Sequence, residues 1–191
     1  MSHAPLNALV EQIRGLHEAT PALARFAPWP GDLTPNDRPA AMLPAADLVA
    51  ALPADTAVTR AVQAAAPHAE WRQSYSEREV SADFLNRYGH FELFGPHGHF
   101  HSSELRGYIG IWGSGLDYDW HSHEAEELYY CLFGTPRFRS KSKPETTLQP
   151  GGTRHHTPCE VHRMQTCTTP FLCYAVWKGP GLAGRPAMEP Q

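Results

Sequence analysis

The residues best suited to chemistry lie between Gly115 and Gly134, in the run Gly-Leu-Asp-Tyr-Asp-Trp-His-Ser-His-Glu-Ala-Glu-Glu-Leu-Tyr-Tyr-Cys-Leu-Phe-Gly. Within it His121, His123 and Glu127 follow the spacing H-x-H-x3-E. Two residues apart on an extended strand, both imidazoles point to one face. Glu127 comes after a turn, at the head of the β-rich run Leu128 to Phe133, where its carboxylate can swing back toward the same point. Two neutral imidazoles and one carboxylate suit a divalent first-row metal such as Fe, Mn, Ni or Zn, with positions left open for substrate. The chain carries 12 histidines, and a lone H-x-H is more often an exposed polar pair. The full pattern G-x5-H-x-H-x3-E-x6-G, bracketed by glycines where the chain must turn, carries the metal reading.

Two tyrosines flank the motif. Tyr129 lies two residues past Glu127 and shares its strand face, so its phenol can reach the metal or a substrate. Tyr118 lies five residues before His123, with weaker placement, since a strand bend would turn it. Next to a dication a tyrosine can ionise and serve as a phenolate base. The plainer reading, ordinary packing on a strand, competes for each.

Stepping outward, the 191 residues suit one domain with an N-terminal extension, and 41% hydrophobic content is enough for one core. A net charge of −4 argues against a nucleic-acid partner. No apolar run approaches the roughly 20 residues that span a bilayer, and the N-terminus lacks a secretory signal's basic start and apolar core. Cys131, Cys159, Cys167 and Cys173 show no C-x-x-C spacing and read as free thiols of a reducing cytoplasm.

Residues 1–88 read as a helical extension. Leu6, Leu9, Val10, Ile13 and Leu16 recur at helical spacing up to Pro21, and 45–52 and 56–66 read as two shorter helices after a proline-rich loop. The stretch 71–88 has no clear period. This part is expected to pack on the barrel or to form a homodimer contact, without catalytic residues. From 89 to 184 the pattern changes to short strands with turn residues between them: 91–94, 105–112, 117–123, 128–133, 137–141, 146–148, 161–166 and 171–177. That spacing predicts a mainly β chain whose antiparallel barrel holds a small ligand at its mouth, followed by a tail over 185–191.

The G-x5-H-x-H-x3-E-x6-G pattern matches the first metal motif of the cupin superfamily at every fixed position, so the chain resembles a single-domain cupin of the jelly-roll type. The second cupin motif, G-x5-P-x-G-x2-H-x3-N, is matched less well. Gly152 and Pro158 fit, but Glu160 stands where glycine is usual, His162 arrives one residue early, and Thr166 replaces the asparagine. His155 and His156 compete for the last ligand place, because Pro150 to His155 also spells P-x-G-x2-H. His162 is preferred because it opens an extended run, while the other two sit nearer the preceding turn.

The run Tyr118-Asp-Trp-His-Ser-His-Glu-Ala-Glu-Glu-Leu-Tyr129, with Pro158, His162-Arg-Met164 and Ala175-Val-Trp177-Lys-Gly179, resembles the cupin-type dimethylsulfoniopropionate lyases of marine bacteria. The resemblance spans about residues 91 to 184, and a helical N-terminal extension is also typical of that group. It implies metal ligands at His121, His123, Glu127 and His162. It implies metal or substrate contact and proton abstraction at Tyr129 and Tyr118, without deciding which is the base. Trp177 matches an aromatic of the family's substrate pocket. The implied reaction is β-elimination of a small zwitterion to dimethyl sulfide and acrylate. A sulfonium cannot donate a hydrogen bond, so an aromatic face suits it, with Trp120, Trp177, Tyr174 and Phe133 as candidates. Three rivals stand beside this reading: an Fe(II) dioxygenase on the same ligands, a sugar isomerase, and a non-catalytic cupin ligand-binding module.

Overall fold

The computed structural model describes residues 4–189. Its helices are α1 (Ala4–Ala19), α2 (Pro21–Phe26), α3 (Ala46–Ala50), α4 (Ala57–Ala65) and α5 (Ala82–Arg87). Its strands are β1 (Thr34–Pro35), β2 (Tyr88–Gly95), β3 (Phe100–His101), β4 (Arg106–Trp112), β5 (Asp117–Ser122), β6 (Glu126–Phe133), β7 (Arg137–Ser140), β8 (Thr146–Thr147), β9 (Thr153–His156), β10 (His162–Gln165), β11 (Phe171–Lys178) and β12 (Ala187–Met188). They form a seven-stranded sheet in the order β1-β3-β2-β4-β11-β6-β9 and a five-stranded sheet in the order β12-β5-β10-β7-β8.

The larger sheet is buried on both faces, which is why β2 and β11 read as nearly continuous apolar runs rather than alternating ones. One face packs on the helices. Leu6, Leu9, Val10 and Ile13 of α1 join Val62 of α4 and Phe91, Leu93, Ile109, Ile111, Leu128, Tyr174 and Val176 of the sheet in one core. The other face meets the smaller sheet. There Tyr108, Tyr129, Cys131, Phe171, Cys173, Ala175 and Trp177 pack against Tyr118, Phe138 and Met164. Each strand serves both cores through its alternate residues.

Some local expectations are corrected. Pro21 does more than end α1: it opens α2, where its missing N–H costs nothing. The strand β9, read as a turn region from sequence, pairs with β6 and places Glu127 opposite His156. Its residues Thr-Arg-His-His are too polar to announce a strand. Glu127 is the second residue of β6, at its head as expected, whereas His123 lies just past β5 rather than on it. The aperiodic stretch before β2 holds α5 and sends Tyr75 and Phe84 into the inner core.

Candidate active site and metal centre

Turns at both ends of the β5–β6 unit aim its side chains. Gly115 (φ +71°) and Gly134 (φ +96°) occupy left-handed backbone that glycine tolerates, and a Cβ at Gly134 would collide with the Pro170 carbonyl oxygen. Between them the chain delivers His123 and Glu127 to the inner face, and β10 delivers His162. Ligand atoms of these three buried residues lie within 4.8 Å of one another. His121 is next to them, its ring 4.2 Å from that of His162, but it stands outside the three-residue group.

The hydrogen bonds fix which atoms face the centre. Nδ1 of His121 donates to the Asp119 carbonyl (2.7 Å), Nδ1 of His123 to that of Ala125 (2.8 Å), and Nδ1 of His162 to that of Glu160 (2.8 Å). A carbonyl only accepts, so each Nδ1 carries hydrogen. The neutral rings of His121 and His162 present an Nε2 lone pair, while His123 Nε2 donates to the Glu127 carboxylate and frees its lone pair on giving up that proton. Glu127 is divided in the same way. Its Oε1 accepts from Tyr108 Oη (2.5 Å) and Trp177 Nε1 (2.6 Å). Its Oε2 faces His123 Nε2 (3.0 Å) and His162 Nε2 (3.7 Å). His162 Nε2 is buried without a partner among the described residues. Two buried imidazole Nε2 atoms converging on one carboxylate oxygen are a donor set that fits a divalent cation, with outer partners holding each side chain's orientation.

Electrostatics support that fit. Burial opposes the Glu127 charge, but His123, His162 and His156 outweigh it and hold its carboxyl well below the usual range. Burial pushes His162 down to about 4 and His121 well below its ordinary value, so both stay neutral at neutral pH. For His123 burial is outweighed by Glu127, and its pKa is raised. Burial, with the Glu127 carboxylate nearby, holds the Tyr129 and Tyr108 phenols well above 10, and burial beside Tyr75 and Tyr88 does the same for Tyr118.

Beside the centre lies a small cavity of about 20 Å³, room for roughly one water. It is lined by His123 and by Tyr108, Trp112, Tyr118, Tyr129 and Trp177, with Tyr88, His90, Arg106, Ser74 and Pro186 completing the wall. Trp177 stacks on His123 (4.3 Å between ring centres) and Tyr118 stacks on His121 (3.7 Å). Tyr118 Oη and Tyr75 Oη hydrogen-bond at 2.7 Å.

Of the residues singled out from sequence, His121, His123, Glu127, His162, Tyr118, Tyr129 and Trp177 come together. Tyr174 and Phe133 do not: strand alternation sends them to the helix face, where Tyr174 bonds His17. Trp120 faces outward, with Lys141 and Arg163 over its ring. His155 is half-exposed and pairs with Glu126 (2.7 Å), whereas His156 is buried and stacked 3.7 Å from His162, with neither nitrogen hydrogen-bonded among the described residues and Nδ1 3.7 Å from Glu160 Oε1. Sequence reasoning missed Tyr108, Tyr75, His90 and Arg106. Tyr108 had a signal, since alternation along 105–112 puts it on one face with Gly110 and Trp112. Tyr75 had none, because only the fold brings it to Tyr118.

Comparison with known proteins adds the following. The family model described as dimethylsulfoniopropionate (DMSP) lyase matches residues 18–173. The DMSP lyase DddQ of Ruegeria pomeroyi is 34% identical over 176 residues, covering 90% of this chain and 88% of that protein. Its crystal structure superposes with a TM-score of 0.92 at 32% identity, covering 98% and 97% of the two chains. A chain from the crystal structures of the DMSP lyases RdDddP and RnDddQII reaches a TM-score of 0.95 at 46% identity, covering 98% and 99%. A cupin-2 domain from Rhodospirillum rubrum, 15% identical, superposes with a TM-score of 0.50 over 65% of this chain and 78% of its own, a likeness of fold. The mainly β two-sheet architecture with N-terminal helices is that of a cupin.

Proposed function

The chain belongs to the dimethylsulfoniopropionate lyase family, and from that premise we propose a metal-dependent β-elimination that cleaves DMSP to dimethyl sulfide and acrylate, with a tyrosine as base. His123, Glu127 and His162 would hold a divalent first-row ion, with His121 beside them. Such an ion, when bound, supplies a Lewis acid for the substrate carboxylate. Two or three neutral imidazoles and one carboxylate leave the loaded centre about one positive charge, which suits an anionic group.

The observation that carries the reading is the placement of Tyr129 on Glu127's strand face, in the wall of an aromatic cavity that meets the histidine–glutamate cluster. Tyr129 Oη takes the proton from the carbon next to the carboxylate. The electron pair forms the new C=C bond, the C–S bond breaks, and its pair leaves on sulfur. Dimethyl sulfide departs neutral, so no general acid is required. Burial and Glu127 hold the phenol protonated, so a cation at the cluster is needed to favour phenolate. Tyr118, tied to Tyr75, is the alternative base, or it orients the substrate from the opposite sheet. Faces of Trp112, Tyr88 and Trp177 offer the sulfonium about 0.5–2 kcal/mol of cation–π attraction. The cavity is too small for the zwitterion as it stands, so admitting the substrate requires its wall to part; one of its lining residues, Ser74, is tied through its carbonyl to Arg185 Nη1 (2.9 Å), which also bonds Glu79 Oε1 (3.0 Å).

No helix among the described residues is long and apolar enough to cross a membrane. A reducing, cytoplasmic setting belongs to the same proposal, supported by four free cysteines. The test is to strip the protein with chelator, reload it with single divalent metals and assay DMSP for headspace dimethyl sulfide and for acrylate. Stoichiometric release of both, lost on chelation, is expected. No release with any metal would sink the lyase reading, and release unaffected by complete metal removal would sink the metal.

A further inference from the structure

We infer that Glu160, the residue standing where the second cupin motif usually has glycine, is a positioning residue for the metal histidines, acting with Lys143. The inference rests on the metal reading above. The Glu160 side chain is 3% exposed and held from several directions. Its Oε2 accepts from the Thr157 backbone N–H (2.9 Å), from Thr157 Oγ1 (3.1 Å) and from Lys143 Nζ. Its Oε1 accepts from Ser142 Oγ (3.0 Å). Lys143 Nζ also donates to the His155 carbonyl (2.9 Å), so the β7–β8 turn, the end of β9 and the turn before β10 form one braced unit.

That turn reaches both sheets' contributions to the centre. The Glu160 carbonyl accepts Nδ1–H of His162, and the Cys159 N–H donates to the His123 carbonyl at 2.8 Å. The clamp therefore sets the direction of His162 Nε2 and braces the backbone of His123. A glycine could take the turn but could not brace it with a side chain. The missing glycine is also visible one residue away, where Cys159 takes left-handed backbone (φ +58°). A side-chain brace on the backbone behind two ligands is the outer-partner arrangement whose loss typically costs 10–100-fold in metal affinity.

The experiment is equilibrium Co(II) titration against a competing chelator, with the visible spectrum of bound Co(II) reporting ligand geometry. Glu160→Ala should weaken Co(II) by about 10–100-fold and alter the spectrum. Glu160→Gln and Lys143→Met, which keep the side-chain volume, should fall between it and the parent. Arg38→Ala breaks a partly buried ion pair with Glu70 (2.7 Å) away from the site and should leave affinity and spectrum unchanged, which separates positioning from general loosening. Should Glu160→Ala fail to fold, the two volume-keeping variants decide the question. If Glu160→Ala, or both milder variants, bind Co(II) within twofold of the parent while His162→Ala loses it, the clamp is refuted and the metal reading stands. If His162→Ala itself binds as tightly as the parent, the metal reading falls and the clamp falls with it.

Discussion

The two faces of the large sheet use the same residue types for opposite ends. On the helix face, Tyr174 Oη meets His17 Nδ1 at 3.0 Å, and His17 Nε2 donates to the Ala27 carbonyl at 2.9 Å. The polar atoms of that pair are consumed by the protein. On the inner face, Tyr118 stacks on His121, Tyr129 lines a cavity, and His162 Nε2 has no partner among the described residues. A tyrosine and a histidine thus close on each other at one face and stay open at the other. Burial of unsatisfied groups costs free energy, and on the proposed metal reading a bound cation relieves that cost at the inner face. The strands supply both faces by alternation, so substitutions one residue apart should separate chemistry from stability.

The largest expected effect is at Glu127. Glu127→Gln keeps the shape but removes the charge that gathers His123 and His162, and should abolish nearly all metal binding and lyase activity. Elemental analysis beside a dimethyl sulfide assay checks it; full metal content in this variant would break the site assignment. Next comes Tyr129→Phe, which removes one oxygen from the cavity wall. If Tyr129 is the base, turnover should fall by about 10²–10⁴-fold with metal content intact, while Tyr118→Phe should chiefly raise KM. Parental turnover in both variants would end the phenolate mechanism.

The helix face should give the mirror result. Ile109→Ala opens a hole among fully buried neighbours and should cost about 2–5 kcal/mol of stability by denaturant titration. The kcat of the folded, metal-loaded fraction should stay near the parent's. A large kcat loss there would show that the faces are coupled.

How much of this was readable beforehand follows the same division. The inner-face cluster of His123, Glu127 and His162 was legible because the donor set a metal would need restricts residue type and spacing, and a strand's period carries that spacing into space. The barrel strands and α1 were legible from apolar periodicity. Three features were not. β9 is polar and short, so only its pairing with β6 makes it a strand. Tyr75 reaches Tyr118 across 43 positions of sequence, a distance that no local pattern records. Tyr174 is a pocket candidate from sequence as an aromatic face for a sulfonium, and because β11 is apolar on both faces the run does not say which parity faces inward.

A smaller effect is expected at His156, which stacks on His162 and makes no hydrogen bond among the described residues, its Nδ1 lying 3.7 Å from Glu160 Oε1. Burial pushes it down to about 2, so it stays neutral in the folded protein, whereas in the unfolded chain it titrates near 6.5. The folded pKa is the depressed one, so its stability contribution is complete above pH 6.5 and falls by about 1.4 kcal/mol per pH unit below it. His156→Phe keeps a ring against His162 and removes the titration. In the metal-free protein the acid limb of stability should be shallower by about one proton between pH 6 and 4. An unchanged slope would show that His156 is not held neutral.

The smallest effect sharpens the opening contrast most directly. Tyr174→Phe leaves the ring contacts in place and deletes only the hydroxyl. His17 Nε2 must keep donating to the Ala27 carbonyl, so Nδ1 becomes a buried acceptor without a donor. That costs about 1–3 kcal/mol of stability and should leave the kcat of the folded enzyme unchanged, unlike Tyr129→Phe. The pH dependence has a sign. Burial lowers the His17 pKa in the parent, so the parent loses stability as pH falls below 6.5. In the variant the freed Nδ1 can take a proton without breaking a bond, so the folded pKa moves back toward 6.5 and less is lost in acid. The stability gap between parent and variant should therefore be widest near pH 7.5 and narrower at pH 5.5, measured by denaturant midpoints. A gap that stays constant or widens in acid would mean that the tyrosine hydroxyl does not hold His17, and that the helix face is not the self-satisfied counterpart of the active one.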